Sequence, residues 1–260
     1  MTAENTINSK TKIALVTGSS RGLGRNTALA LARKGVDVIV TYHSNKAEAD
    51  SAVAEIKALG RRATALQFDA GAIKTFDDFA AHLKTALKDN WDASTFDYLV
   101  NNAGIGIAKP FAETSEEEFD MLMNIHFKGV FFLTQKLLPV IADGGRIVNL
   151  SSGLARFSFP GMSAYASMKG AIEVLTRYLA KELGPRGIAV NTVAPGAIET
   201  DFGGGRVRDN ADMNKQIASV TALGRVGLPD DIGPMIASLL SQDNRWVNGQ
   251  RIEVSGGMMV

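Results

Sequence analysis

Tyr165 and Lys169 stand four positions apart in the run SAYASMK, and Ser152 closes the run RIVNLSS thirteen residues before the tyrosine. A phenol, an amine and a hydroxyl in this order are the parts needed to move a proton to or from an oxygen. On a helix, positions i and i+4 lie on one face about 6 Å apart along the axis, so Tyr165 and Lys169 project to the same side. An unperturbed phenol titrates near pH 10 and is a poor base at neutral pH, whereas a nearby ammonium favours the phenolate and lowers that value. The spacing therefore predicts a general acid–base at Tyr165 tuned by Lys169. An ordinary surface helix would show the same pair, so the rest of the chain has to decide.

A second pattern carries chemistry. The run TGSSRGLG places Gly18, Gly22 and Gly24 just after an aliphatic segment and before an alanine-rich helix, with Ser20, Arg21 and Leu23 between them. Glycines permit a tight turn and close backbone approach, and the following helix N-terminus offers free N–H groups to a pyrophosphate. The spacing G-x-x-x-G-x-G differs from the common G-x-G-x-x-G fingerprint. About 20 residues on, a site that prefers NAD carries Asp or Glu at the end of the second strand. Here that strand ends in Tyr42, His43 and Ser44, and Asp37 lies at its other end. Without a carboxylate to repel it, a 2′-phosphate is permitted. Arg21 is placed to pair with it and Ser44 to hydrogen-bond it, with His43 and Asn45 nearby. NADP(H) is expected over NAD(H).

These residues need elements to hold them. Apolar runs at 12–18, 36–42, 63–68, 96–102, 145–152, 188–195 and 250–256 read as strands, and strands apolar throughout indicate a parallel sheet covered on both faces. Helical patterns lie near 23–34, 46–59, 75–90, 115–139, 163–184 and 229–241. Ser115 with Glu118 forms a capping box, and Gly184 and Pro185 stop the helix that carries Tyr165. Tyr178 on that helix reads as packing. The alternation predicts an α/β, doubly wound Rossmann-type fold. A loose tail over 1–10 precedes a single domain over 11–260. The glycine run at 203–205 predicts a mobile loop over 201–210, a candidate lid.

Composition removes other classes. The 260 residues carry 28 basic and 27 acidic side chains, a charge of +1, which gives no reason to expect nucleic acid or an anionic membrane. There is no cysteine, and His43, His82 and His126 have no ligand spacing, so no metal is expected. The start lacks a signal-type apolar stretch and no run approaches the roughly 18 residues of a membrane span. A cytoplasmic location is expected.

The motifs together resemble the short-chain dehydrogenase/reductase family. TGSSRGLG looks like its cofactor loop, NNAG (101–104) like its strand-four motif, YASMK like its Tyr-x-x-x-Lys centre, and PGAIET (195–200) like the segment that holds the nicotinamide. The match runs from about Lys12 to the closing SGG. The resemblance implies a single Rossmann-type domain with a seven-stranded parallel sheet, and NAD(P)(H)-dependent reduction of carbonyls or oxidation of alcohols. It implies that Ser152 hydrogen-bonds the substrate oxygen, with Ser151 as the alternative hydroxyl, and that Lys169 also binds the nicotinamide ribose. By the same likeness Asn124 is a fourth catalytic member at a helix irregularity. Asp69 and Ala70 would meet the adenine, and Asn101, Ala103 and Gly104 would line the cofactor. Pro195, Gly196, Ile198 and Thr200 would meet the nicotinamide. The family is often tetrameric or dimeric on the helices near 115–139 and 163–184, so a homotetramer or homodimer is implied.

The substrate would sit over Tyr165, between 153–161 and the glycine loop, with Phe157, Phe159, Met162 and Phe202 as an apolar wall and Arg156 available to an anionic group. A carbonyl reductase, possibly of 3-oxoacyl type, is the leading expectation. The alternatives are a sugar/polyol or cyclic-alcohol dehydrogenase using NAD(H), and a dinucleotide-binding regulator without chemistry. The joint presence of Asn124, Ser152, Tyr165 and Lys169 favours the enzyme.

Overall fold

The computed structural model describes residues 11–260; the tail expected over 1–10 lies outside the described residues. Its strands are β1 (Ile13–Val16), β2 (Asp37–Tyr42), β3 (Ala63–Gln67), β4 (Phe96–Asn101), β5 (Ile141–Leu150), β6 (Ala189–Pro195) and β7 (Arg251–Val254). All pair in parallel, in the order β3-β2-β1-β4-β5-β6-β7. The order reverses between β1 and β4. In such sheets, ligands bind outside the carboxyl ends of the strands at that reversal.

The helices are α1 (Gly22–Arg33), α2 (Lys46–Ala58), α3 (Phe76–Trp91), α4 (Glu116–Met123), α5 (Gly129–Leu137), α6 (Ser163–Glu182), α7 (Arg206–Asp209), α8 (Ala211–Ser219) and α9 (Pro229–Leu239). Alternate strand residues face opposite sides. Ala14, Val16, Val38 and Val40 pack under α1, α2 and α9. Ile13, Leu15, Ile39 and Leu99 pack under α3, α5 and the end of α6. Two apolar layers thus clamp the sheet, which is why its strands are apolar on both faces.

One element carries the irregularity that the resemblance implies, and another departs from expectation. The helix expected over 115–139 starts at the Ser115 capping box as read, and its middle, Asn124–Lys128, widens into a π-helical turn that begins at Asn124, where an irregularity was implied. The widened turn sits against the loop after β3. A Cβ on Gly129 would come within 2.2 Å of the Ala70 carbonyl oxygen. The lid expected as a loop over 201–210 is instead a glycine turn, Phe202–Gly205, running into α7, and α8 follows it without having been expected. Asn210 caps α8 by accepting from the Met213 amide at 2.9 Å. Its short and polar pattern hid it from a periodicity reading.

Candidate active site

The carboxyl ends of β1, β4, β5 and β6 meet at one edge. At the end of β1, Gly18 and Gly22 take φ of +63° and +56°, which only glycine adopts at little cost. Gly24 is glycine for a different reason. A Cβ there would lie 2.3 Å from the Gly18 carbonyl oxygen and 2.5 Å from Asn102 Nδ2. Polar side chains hold the turn shut: Thr41 Oγ1 accepts from the Gly18 amide at 3.0 Å, and Ser19 Oγ donates to the Val16 carbonyl at 2.7 Å. Asn102 Nδ2 donates to the Thr17 carbonyl at 2.9 Å, and Thr17 Oγ1 accepts from the amides of Asn102 and Ala103. Sequence reasoning passed over Thr17, Thr41 and Asn102; nothing in their spacing marks them as partners. Ser20 is buried in the turn and Leu23 packs on the α1 layer.

Around this turn the charges suit an anion. The first turn of α1 carries no acid. Arg21 is exposed at its N-cap and makes no ion pair or side-chain hydrogen bond among the described residues. At the end of β2, Tyr42 is half-buried and Ser44 exposed. His43 Nε2 lies 3.4 Å from Asp69 Oδ2, and Asp69 Oδ1 accepts from the Gly71 amide at 2.8 Å. Asn45 is committed to capping α2, accepting from Glu48. Asp37 is buried far from the turn, accepting from Arg62 and from Trp91 Nε1.

Asn101 is buried and donates to Asn149 Oδ1 at 2.8 Å and to Thr134 Oγ1 at 3.2 Å, tying β4 to β5 and α5. Ala103 and Gly104 continue along the edge; Gly104 is exposed. Across the edge, Pro195 ends β6, and Gly196 packs on the C-terminal segment, where a Cβ would come within 2.9 Å of Ser255 Cα. Ile198 pairs with Gly227 in a bridge. Thr200 is buried, accepts from the Phe202 amide at 3.2 Å, and faces Gly22 across the edge.

Ser152, Tyr165 and Lys169 converge past the end of β5. Ser151 Oγ donates to Glu173 at 2.7 Å and lies 3.2 Å from the Lys169 carbonyl, so that hydroxyl is engaged. Ser152 Oγ accepts from the Leu154 amide at 3.2 Å and stands near enough to Tyr165 to act on its phenol. Lys169 Nζ donates to the Leu150 carbonyl at 2.7 Å and stands 5.5 Å from the centre of the Tyr165 ring. Burial pushes the Tyr165 phenol well above its ordinary value, while the Ser152 hydrogen bond pulls the other way. Burial also pushes the Lys169 amine down to about 7. The expected lowering of Tyr165 by Lys169 is therefore corrected in the protein alone. Desolvation dominates at the phenol, and Tyr165 rests protonated, the form that donates to a developing alkoxide.

Asn124 opens the π turn and is half-buried. The side chain from that turn standing against Tyr165 is His126, 1% exposed, its ring 5.1 Å away and edge-on. Its position two residues beyond Asn124 was visible in the sequence, but its direction depends on the π turn.

A cavity of about 830 Å³ lies beside the site, its walls including Leu154, Phe159, Met162, Pro160 and Phe111. Leu154 and Met162 also pack with Tyr165, Leu122 and Met168, so cavity and phenol share a wall. Phe202 packs tilted against the Tyr165 ring, 5.8 Å between centres. Phe157 turns away from the cavity, and a Cβ on Gly153 would meet its ring at 2.8 Å. Arg156 is likewise withdrawn, held by both carboxylate oxygens of Glu253 and the carbonyls of Met258 and Met259. Tyr178, expected to pack, is 64% exposed. Among the described residues no group of acids and histidines is arranged to hold a metal, and no helix is long and apolar enough to cross a membrane.

A family model described as enoyl-(acyl carrier protein) reductase matches residues 18–259. A hydroxynaphthalene reductase-like protein of Metarhizium brunneum is 37% identical over 257 residues, covering 95% of this chain and 94% of the relative. Among solved structures, the promiscuous reductase LugOII, which catalyses keto-reduction at C1 during lugdunomycin biosynthesis, superposes with a TM-score of 0.91 at 39% identity, covering 96% of this chain and 99% of that one. The angucycline C-6 ketoreductase LanV with bound NADP has the same TM-score at 36% identity, covering 96% of each chain.

Proposed function

The chain belongs to the short-chain dehydrogenase/reductase family and is an NAD(P)-dependent oxidoreductase acting on C=O or CH–OH groups, and from that premise we propose that it is an NADP(H)-dependent reductase of ketones carried on bulky apolar rings. The observation that carries the reading is the convergence of Ser152, Tyr165 and Lys169 beside an apolar cavity.

The residues fit a dinucleotide. Glycine at 18 and 24 lets the turn close tightly against Ala103 and Asn102, and the α1 N-terminus and Arg21 offer positive charge. The lack of an acid at Tyr42–Ser44, with Arg21 uncommitted, supports NADP(H) over NAD(H), and LanV carries NADP. Asp69 and Ala70 would border the adenine. Asn101, Ala103 and Gly104 would border the middle of the cofactor, with Asn101 acting through the strand ties it makes. Pro195, Gly196, Ile198 and Thr200 would border the nicotinamide. Lys169 has one acceptor among the described residues, Leu150, and its remaining N–H groups suit ribose hydroxyls. When bound, the reduced nicotinamide supplies a hydride.

The rest is the work of this chain. Ser152 donates to the substrate oxygen and orients it, Tyr165 delivers its proton as charge develops there, and Lys169 stabilises the phenolate left behind. Asn124, at the π turn, is the fourth member, on the path that returns a proton to Tyr165. Leu154, Phe159 and Met162 give the cavity an apolar lining suited to fused rings rather than to a polyol. The names of the relatives point the same way, toward ring ketones rather than 3-oxoacyl thioesters. Phe119, Met121, Phe131, Val174 and Tyr178 leave an exposed apolar face on α4, α5 and α6, which supports a homodimer or homotetramer.

The test is NADPH oxidation with a panel of fused-ring ketones, acetoacetyl thioesters and keto-sugars. Ring ketones are expected to be turned over best. Tyr165→Phe is expected to lower kcat at least ~100-fold with NADPH affinity nearly intact; unchanged turnover would remove Tyr165 from the mechanism.

A further inference from the structure

The short turn after β5, which begins at Ser152 and runs through Gly153–Ala155, is fastened by charges on the last strand. Strand β7 is four residues long and lies at the edge of the sheet. In its register with β6, Arg251 stands opposite Thr192 and Glu253 opposite Ala194. Two residues apart on a strand, both side chains leave the same face. Ile252 and Val254 leave the other face and pack in the layer under α1, α2 and α9. Arg251 and Glu253 therefore reach toward α6 and the turn after β5.

Three bonds run from these two residues to the turn. Arg251 Nε donates to Glu173 Oε1 at 2.6 Å, and Ser151 Oγ donates to the same oxygen at 2.7 Å. Arg251 Nη2 donates to the Ser152 carbonyl at 3.4 Å. Arg251 Nη1 donates to Glu253 Oε2 at 2.9 Å, and Arg156 grips both oxygens of Glu253 at 2.8 Å. The residue before Ser152, Ser152 itself and the far end of the turn are thus all tied to β7. Two cations face two carboxylates, so the charge within the cluster balances. The side chains of Glu173, Arg251 and Glu253 are 15, 23 and 18% exposed, which leaves little water to screen them. The Arg156 guanidinium holds the Glu253 carboxyl down to about 2, so the cluster stays ionised at neutral pH.

Ion pairs taken out of water add little net stability over apolar groups of the same shape, because desolvation offsets the attraction. What they add is direction, since the planar fork of arginine fixes where its partners lie. Here every direction converges on residues 151–156. We propose that Arg251 and Glu253 are positioning residues for the reaction: they fix the segment 151–156 so that the Ser152 hydroxyl meets the substrate oxygen beside Tyr165. The inference rests on the role proposed above for Ser152. Neither side chain lines the cavity, so both act through the serine. A reacting group displaced by about 1 Å can cost up to ~100-fold in rate, which gives a distant strut a measurable effect.

A double-mutant cycle tests this. Arg251→Met keeps an unbranched side chain and removes every bond the guanidinium makes. The kcat with saturating NADPH and a ring ketone is measured for wild type, Ser152→Ala, Arg251→Met and the double variant, with the NADPH dissociation constant beside it. Ser152→Ala is expected to lose about 100-fold in kcat and Arg251→Met about 10-fold, each binding NADPH within ~2-fold of wild type. In the Ser152→Ala background, Arg251→Met should change kcat by less than ~2-fold, because the group it positions is already gone. The same loss in both backgrounds, as a general loosening would give, overturns the proposal, and so does no loss in either. If Arg251→Met does not fold, Glu253→Gln, which keeps the shape and removes the charge, takes its place in the cycle with an expected loss of about 5-fold. Should Ser152→Ala keep turnover, the catalytic reading itself fails; should it lose turnover while the two losses multiply, only the role of Arg251 and Glu253 falls.

Discussion

Two glycine-rich segments border the site, and they use glycine for different reasons. In the turn of Gly18–Gly24, space is the constraint at Gly24, where a Cβ would strike the Gly18 carbonyl and Asn102. At Gly203 and Gly204, in the second segment, conformation is the constraint. Gly203 and Gly204 take φ of +62° and +78°, and a Cβ on either would meet nothing within 4 Å. The first segment is a mould whose shape is part of a binding surface. The second is a hinge of permitted angles. Clustered glycines in a sequence look alike in both, so composition alone does not tell a cradle from a turn.

Substitution sharpens the contrast. The largest effect is expected from Gly24→Ala, because the atoms it strikes are backbone and the Asn102 amide, which is tied to the Thr17 and Gly18 carbonyls. Overpacking of this kind costs about 1–3 kcal/mol. The dinucleotide dissociation constant, read by fluorescence titration, should rise at least ~30-fold, and thermal stability should fall. Wild-type affinity in Gly24→Ala would break the comparison.

Next comes Arg21→Ala, on the rim of the same mould. It removes a charge without touching the shape. NADPH affinity should fall about 10-fold or more, with NADH affinity hardly changed, since only NADPH carries the added phosphate. Equal losses with both would remove Arg21 from the phosphate.

Gly204→Ala should do least. It imposes a left-handed angle on alanine, worth about 1–2 kcal/mol, and a chain of this size should melt a few degrees lower, ~2–4 °C per kcal/mol. Dinucleotide affinity should stay put in the same titration, and any kinetic change should lie in the KM for the carbonyl. A loss of NADPH binding as large as that of Gly24→Ala would mean that the two segments are not distinct in function.

Much of the fold was legible because its signals are local. Aliphatic runs marked all seven strands, and Ser115 with Glu118 marked a helix start that the structure reproduces atom for atom. Helix α8 was missed because its cap, Asn210, is one residue in a polar stretch. The site was legible where chemistry depends on spacing within one element, as with Tyr165 and Lys169. It was not legible where a long side chain chooses between neighbours. Arg156 took Glu253 and the C-terminal carbonyls, far along the chain, and Phe157 folded onto Gly153.

By itself the sequence determined the order of strands and helices, the shared face of Tyr165 and Lys169, and the absence of an acid after β2, because these depend only on residue type and local periodicity. Tertiary structure decided that Ser151 commits its hydroxyl to Glu173 while Ser152 stands beside the phenol, that His126 stands against Tyr165, and that the phenol rests protonated. Those outcomes depend on how deeply the packed sheet and helices bury each group and on what lies within a few ångströms of it, and neither quantity exists until distant segments meet.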